Sequence, residues 1–191
     1  SVNPSTVAAN GYKYKVTVNG TAPCASVDST PSGGATLSVS SAPAVIFTET
    51  MGTSITNSGN ILLNTGWVYN GVYTYSRGST TGTDVRSSTA SSGYAGASGS
   101  FNVFITGGST DNYFEMSNIS TISKTNLSLS FGIYKSSTTS NASELILEVS
   151  TDGLSYNPIA FTALPTGAGT AAWYQRTVSG IPSTDNLRIR F

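Results

Sequence analysis

Apolar and polar residues alternate with a period of two in several short segments of this sequence, most clearly over residues 12–18, 127–133 and 145–149. Such alternation is typical of β-strands that bury one face, because successive side chains of a strand point to opposite sides of the sheet. No window carries apolar residues at helical spacing over three turns. Further strands are predicted at residues 37–39, 44–49, 101–105, 113–116, 159–164, 173–178 and 187–191.

Turn-forming residues separate these segments. Gly-Gly at 107–108, Asp-Gly at 152–153 and the glycine-rich stretch 167–169 each end one apolar segment before the next begins. Many short strands separated by turns of this kind favour an all-β fold, an antiparallel β-sandwich of the jelly-roll kind.

One stretch, residues 76–100, is dominated by Ser, Thr and Gly and carries little alternation. Low complexity of this kind is compatible with a linker. The stretch also contains Tyr94 and the ion-pair-capable Asp84 and Arg86, which favour an ordered, hydrogen-bonded loop.

The sequence changes character near residue 42. Residues 1–42 contain two convincing strands and a Pro-Ser-Gly-Gly turn, whereas residues 43–191 are continuously rich in strand patterns. We therefore expect two domains with a boundary at residues 42–43. Two strands alone are marginally stable in water, so the first domain should pack against neighbouring domains of the same polypeptide or against neighbouring subunits.

Charge excludes several classes of partner. Only 9% of residues are charged, the net charge is zero and the sequence pI is about 6.1. The scattered Lys and Arg form no basic stripe that could neutralise phosphates, so we expect no nucleic-acid partner. No apolar run approaches the roughly 20 residues of a membrane span, so we expect no membrane insertion. A composition rich in Ser, Thr, Gly and Asn and poor in Lys favours an extracellular or cell-surface location.

The lone cysteine, Cys24, leaves two interpretations open. It is either a small buried apolar residue or one half of a disulfide to sequence outside this chain.

The sequence offers few candidate catalytic residues. The chain has no His, which excludes a Ser-His-Asp or Cys-His arrangement and a His-containing zinc site. Glycosidases need two carboxylates roughly 5–9 Å apart. The pairs Glu144/Glu148 and Asp111/Glu115 are spaced four residues apart, about 13 Å along a strand. Pairs across strands stay open, but we expect no enzyme activity.

Aromatic residues are densest around the turn-like Asn-Gly at 70–71. Two pairs at strand spacing flank this turn, and three charged side chains follow them. Exposed on one sheet face, the rings would form a platform for sugar stacking, and the charged groups would hydrogen-bond to hydroxyls. The alternative is that the rings pack inside the sandwich. The predicted glycan-binding residues are Trp67, Tyr69, Tyr73, Tyr75, Arg77, Asp84 and Arg86.

Short motifs are spread over the whole of residues 43–191. They are FTETMG at 47–52, DVRSST at 84–89, SGYAGASG at 92–99, NVF at 102–104, LSFGIYKS at 129–136, EL at 144–145 and VSTDG at 149–153. Together these motifs resemble a jelly-roll module of secreted and cell-surface Bacteroidota proteins. Residues 1–42 resemble the last part of an Ig-like repeat of the same proteins.

The resemblance implies export, often by type IX secretion, and a place beside catalytic or adhesive domains, and it implies no catalytic residues. It also implies a further strand with adjacent acidic residues beyond Phe191, so the jelly roll is expected to lack its final strand and to leave a free pairing edge at residues 187–191. In related jelly rolls an early carboxylate and these late acids hold a structural calcium ion. Glu49 is then the candidate calcium ligand. Alternatively, Glu49 caps a turn by accepting hydrogen bonds from residues 50–52.

Three functions therefore stay open at this stage. The first is a non-catalytic extracellular binding or adhesion module, with a glycan or another cell-surface ligand as partner. The second is a structural spacer or fibre subunit of a surface assembly. The third is an accessory domain of a secreted hydrolase.

Overall fold

A computed structural model describes residues 44–78, 82–108 and 111–191, together with the backbone of four two-residue strands in the first 40 residues. By internal contacts the chain divides into two compact units, Ser1–Val45 and Ile46–Phe191.

The four described strands of the first unit form two antiparallel pairs. Strand β1 (Lys13–Tyr14) pairs with β4 (Ala35–Thr36), and β2 (Thr17–Val18) pairs with β3 (Val27–Asp28). The expected strand at residues 37–39 and Cys24 lie outside the described residues. The assignment of this unit to an Ig-like repeat stays a prediction.

The described residues of the second unit form nine strands and one short 3-10 helix, Asn57–Gly59. The strands are β5 (Thr74–Arg77), β6 (Thr83–Arg86), β7 (Asn102–Ile105), β8 (Phe114–Ile119), β9 (Ser128–Tyr134), β10 (Glu148–Ser150), β11 (Asn157–Pro158), β12 (Trp173–Ser179) and β13 (Leu187–Arg190). Five of them form one sheet in the order β11-β10-β13-β8-β5, called the large sheet below. The β9–β12 ribbon and the β6–β7 hairpin are separate antiparallel pairs.

The core lies on one face of the large sheet. Tyr75, Met116, Val149 and Ile189 project from this face and are buried. They pack in one cluster with Val85 and Val103 of the hairpin and with Val178, Leu129 and Phe131 of the ribbon. The all-β, antiparallel architecture is therefore confirmed for the described residues and is consistent with a β-sandwich. The jelly-roll connectivity stays a prediction.

Two apolar segments predicted as strands do not form them. Residues 44–49 belong to no ladder, although Phe47 packs against the core. Residues 159–164 also stay outside the sheets, because their backbone bonds to Leu147 and Asn141 are isolated. Phe47, Ile159, Phe161 and Leu164 are still buried or half-buried, because burial does not require strand pairing.

The stretch 76–100 is more regular than predicted. Its residues Thr83–Arg86 form β6, which pairs over its whole length with Asn102–Ile105. Tyr94 does lie in an irregular segment between these two strands.

The expectation of a free pairing edge at residues 187–191 is wrong. Leu187–Arg190 pairs with β10 on one side and with β8 on the other, so it lies in the middle of the large sheet.

Candidate functional site

The four predicted aromatic residues divide into a buried pair and a half-buried pair. Trp67 and Tyr75 are 4% and 8% exposed, and their rings stack with centroids 4.3 Å apart and an interplanar angle of 6°. Phe114 lies against both of them. Neither ring is accessible to a sugar in this structure, so both are removed from the predicted glycan surface. Burial of their large apolar area stabilises the core instead.

Tyr69 and Tyr73 lie at the surface and contact one another. Their ring centroids are 5.0 Å apart with an angle of 34°, and both residues are partly exposed. A tight turn brings them together, in which the Tyr73 N–H donates to the carbonyl of Tyr69 over 3.1 Å. Gly71, with φ +78°, lies at the tip of this turn in the left-handed region that glycine favours.

The ring of Phe47 packs against both tyrosines of this pair. Its ring meets Tyr73 at 5.5 Å and Tyr69 at 6.2 Å, both edge to face. Partial burial, and then the neighbouring Tyr69, raise the pKa of the Tyr73 phenol above its usual value. Val68 and Val72 of the same loop are 41% and 63% exposed, so the surface around the rings is apolar.

Glu49 has protein donors on both carboxylate oxygens. Oε1 accepts from the N–H of Gly52 at 3.0 Å and of Val68 at 3.4 Å, and Oε2 accepts from the Tyr75 hydroxyl at 2.5 Å. The bond from Gly52 matches the turn-capping alternative considered for this residue. Within the described ranges no group of three His, Cys, Asp or Glu side chains is placed to hold a metal ion. The calcium site at Glu49 stays a prediction.

The three charged residues predicted beside the aromatic platform make contacts elsewhere. Arg77 donates from Nη1 to the Thr83 carbonyl over 2.9 Å. Arg86 pairs with Asp84, with Nε 2.7 Å from Oδ1, and its guanidinium lies 3.5 Å above the ring centre of Phe104. In the part of the chain that the structure describes, no hydrogen bond, ion pair or ring contact joins Asp84 or Arg86 to the Tyr69–Tyr73 pair.

A charged cluster on the outer face of the large sheet was not predicted. Glu115 is 3% exposed and accepts from Arg188 Nη1 at 3.3 Å, from Arg190 Nη2 at 2.9 Å and from the Tyr156 hydroxyl at 2.7 Å. The Arg190 guanidinium lies between the rings of Tyr156 and Tyr113, at 3.4 and 4.2 Å from their centres. Burial, and then the bond to Glu115, raise the pKa of Tyr156.

A sequence signal for this cluster did exist. Arg188 and Arg190 alternate with the core residues Leu187 and Ile189, so two cations on one strand face require an anion nearby. The sequence did not reveal that Glu115, more than 70 positions earlier, pairs in register with Arg190.

The same register bears on catalysis. Glu115 and Glu148 lie on either side of Arg190 across three strands, which is the cross-strand carboxylate arrangement that the sequence left open. Glu115 is buried under its donors, however, and Glu148 lies 4.0 Å from Arg190. A glycosidase needs both carboxylates facing its substrate.

Comparisons with known proteins add no relative. No protein-family model matches the chain, and neither the curated proteins nor the solved structures include a match. In the described segments no helix has the length and apolar character needed to cross a membrane. The resemblance to secreted Bacteroidota modules, the secretion route and the extracellular location stay predictions.

Proposed function

We propose that this chain is a non-catalytic extracellular binding or adhesion module of a larger secreted or surface protein, with a glycan as its ligand. The observation that supports this most is the Tyr69–Tyr73 pair, two partly exposed rings 5.0 Å apart on one surface loop.

The pair has the chemistry that carbohydrate recognition uses. The apolar C–H faces of a sugar stack on aromatic rings, while phenolic hydroxyls at the ring edge stay wet. The Tyr69 hydroxyl already accepts a hydrogen bond from the Thr48 N–H at 3.2 Å, which fixes the ring. A fixed ring loses little conformational freedom on binding.

The buried half of the aromatic set stabilises this loop. Trp67 begins the turn that carries Tyr69, because its carbonyl accepts a hydrogen bond from the Asn70 N–H. Tyr75 lies in β5, just after the other end of this loop. Both are anchored in the core, so the loop between them is held at two points. A rigid, half-apolar loop on a sheet scaffold is typical of a binding site.

The absence of His and the burial of Glu115 support a non-catalytic role. The test is a glycan array of neutral and acidic polysaccharides probed with the purified chain, with reducing ends assayed in parallel. We expect binding without turnover, and loss of binding in Tyr69→Ala and Tyr73→Ala. The control is Leu154→Ala, which truncates a side chain that is 87% exposed in another loop. Turnover abolished by substituting one carboxylate, or an array without signal, would contradict the proposal.

The second candidate function is a structural spacer or fibre subunit. The burial of Trp67 and Tyr75 favours it, because half of the predicted aromatic platform serves the core. A spacer predicts an empty glycan array, and a fibre subunit predicts self-association in sedimentation velocity. An accessory domain of a secreted hydrolase is the third proposal, which the full-length gene product tests.

A further inference from the structure

The outer face of the β9–β12 ribbon carries an uncharged strip of side chains. It was not predicted as a binding site from the sequence, and it shares no residue with the Tyr69–Tyr73 pair. Side chains at alternate positions of the two seven-residue strands face each other across the ladder. The four facing rows are Tyr134 with Trp173, Gly132 with Gln175, Ser130 with Thr177, and Ser128 with Ser179. The alternate residues on the inner face, such as Phe131 and Val178, pack into the core.

Aromatic rings gather at one end of this strip. The ring centroid of Trp173 lies 5.5 Å from that of Tyr134 and 6.4 Å from that of Tyr94, with interplanar angles of 45° and 46°. Tyr134 is 41% exposed, and Trp173 and Tyr94 are partly exposed. Three tilted rings therefore share one surface.

Gly132 allows Tyr94 to reach this surface. A Cβ atom added to Gly132 would lie only 2.2 Å from the Tyr94 hydroxyl oxygen. The phenol of Tyr94, a residue of the long connection between β6 and β7, therefore packs against the backbone of β9 beside Trp173. Any larger residue at position 132 would displace the ring.

Hydroxyl and amide groups continue the strip. Ser128, Ser130, Gln175, Thr177 and Ser179 are all exposed, and the hydroxyls of Ser130 and Thr177 lie 2.8 Å apart. Six residue-to-residue steps lead from Ser128 to Tyr134, a span of about 20 Å. That length accommodates several linked sugar units that follow one another along the strip.

Charge is missing from this strip. None of its eight positions is Asp, Glu, Lys or Arg. Arg176, between Gln175 and Thr177, donates to the carbonyls of Thr162 and Ala163. The outer face of the large sheet, in contrast, carries Glu115 and two arginines. A neutral strip complements a neutral ligand, because a charged one would lose hydration without gaining a counterion.

We infer that the Tyr94–Tyr134–Trp173 end and the hydroxyl strip form a second glycan site, which takes a neutral oligosaccharide chain lying along the ribbon. Sugar rings stack on Tyr134 and Trp173, and hydroxyls exchange hydrogen bonds with Gln175 and Thr177. The inference shares its ligand class with the proposed function but rests on different residues.

Tryptophan fluorescence provides the readout for this site. Trp67 is 4% exposed, so acrylamide quenches mainly Trp173. The probes are the neutral hexasaccharides of cellulose, xylan, mannan and chitin, with hexagalacturonate as the acidic comparison. We expect at least one neutral probe to bind and to protect Trp173 from acrylamide, and hexagalacturonate to bind less.

Variants then assign the site. Tyr134→Ala should weaken the affinity of the bound neutral probe about tenfold, the loss expected for one stacked ring. Thr177→Lys should weaken it by placing a charge in the strip, and Gly132→Ala should weaken it by moving Tyr94. Tyr69→Ala should leave the protection of Trp173 unchanged, and Leu154→Ala is the surface control.

Each contrary result has its own meaning. Binding that Tyr69→Ala abolishes and Tyr134→Ala leaves intact overturns this second site while keeping the proposed function. Preference for hexagalacturonate, or binding without protection of Trp173, also overturns it. No binding of any neutral hexasaccharide overturns the second site, and an array that is also empty overturns the proposed function.

Discussion

The Tyr75 hydroxyl donates a hydrogen bond to the carboxylate of Glu49 over 2.5 Å, and this bond ties the unpaired segment 46–52 to the core of the second unit. The same carboxylate accepts backbone N–H groups of Gly52 and Val68. The segment belongs to no strand ladder, so side-chain contacts of this kind and the packing of Phe47 hold it in place.

Replacing Tyr75 by Phe should therefore destabilise the protein while keeping the ring stack with Trp67. The loss of a hydrogen bond to a charged acceptor is expected to lower the free energy of unfolding by about 1.5–3 kcal/mol. Urea denaturation measures it, with Tyr134→Phe as the matched control on an exposed tyrosine. Equal stability of Tyr75→Phe and wild type would contradict this role for Glu49.

Alkaline pH should destabilise the protein through its half-buried tyrosines. Burial is the largest cause that raises the pKa of Tyr73, Tyr75 and Tyr156 above 10.0, and for Tyr75 the bond to Glu49 adds to it. Below pH 10 both the folded and unfolded chains keep these protons. Above it the unfolded chain releases them first, so the free energy of unfolding falls, by up to about 1.4 kcal/mol per pH unit for the buried Tyr75 and by less for Tyr73 and Tyr156, whose exposure lets solvent screen the effect.

Urea denaturation between pH 8 and 11.5 measures this slope. Tyr75→Phe should show a shallower loss of stability than wild type, since one of the three groups is gone. A stability that stays flat or rises across this range would show that the folded-state pKa values are not raised.

The Glu115 cluster should contribute more to stability than any exposed ion pair. Glu115→Gln leaves the guanidinium groups of Arg188 and Arg190, 29% and 22% exposed, without their shared counterion. Breaking a buried ion pair on one side costs about 3–5 kcal/mol. Glu144→Gln, at an exposed carboxylate, should change the free energy of unfolding by less than about 0.5 kcal/mol. Similar values for both variants would contradict a stabilising cluster.

A buried lysine holds two loops beside the ribbon. Lys135 is 5% exposed, and its ammonium donates to the carbonyls of Ser140, at 2.8 Å, and of Pro165. Lys135→Met should lower the free energy of unfolding by about 1–3 kcal/mol, because two carbonyls lose their donor. The exposed Lys124 provides the control, as Lys124→Met. A thermal midpoint that Lys135→Met leaves unchanged would contradict this assignment.

The strand that sequence alternation predicted best is one that turns a single apolar face to the core. Residues 127–133 became the seven-residue strand β9, with Leu129, Phe131 and Ile133 inward as the pattern indicates. Residues 173–178 became β12, although Trp173 lies on its outer face. Thr83–Arg86 was predicted as a loop because its strand pairing depends on Asn102–Ile105, which local composition does not reveal. Pairing partners are a tertiary property, and the period of two identifies only a face.

The site was predicted in part for the same reason. The sequence located the aromatic density around residues 67–75 but could not separate the buried Trp67 and Tyr75 from the surface Tyr69 and Tyr73. That division depends on Phe114, which reaches Trp67 from a strand 47 positions later. The Asp84–Arg86 pair was predicted as ion-pairing and does form, but on the hairpin beside Phe104.

The affinity of the strongest array glycan for wild type, Tyr69→Ala and Tyr73→Ala, measured by isothermal titration calorimetry, tests glycan binding most directly. Each truncated ring should weaken binding by about 1–3 kcal/mol, the range for stacking on an aromatic side chain. Circular dichroism confirms that both variants keep the wild-type fold. Affinities of both folded variants equal to that of wild type would contradict the account of the Tyr69–Tyr73 surface as the glycan site.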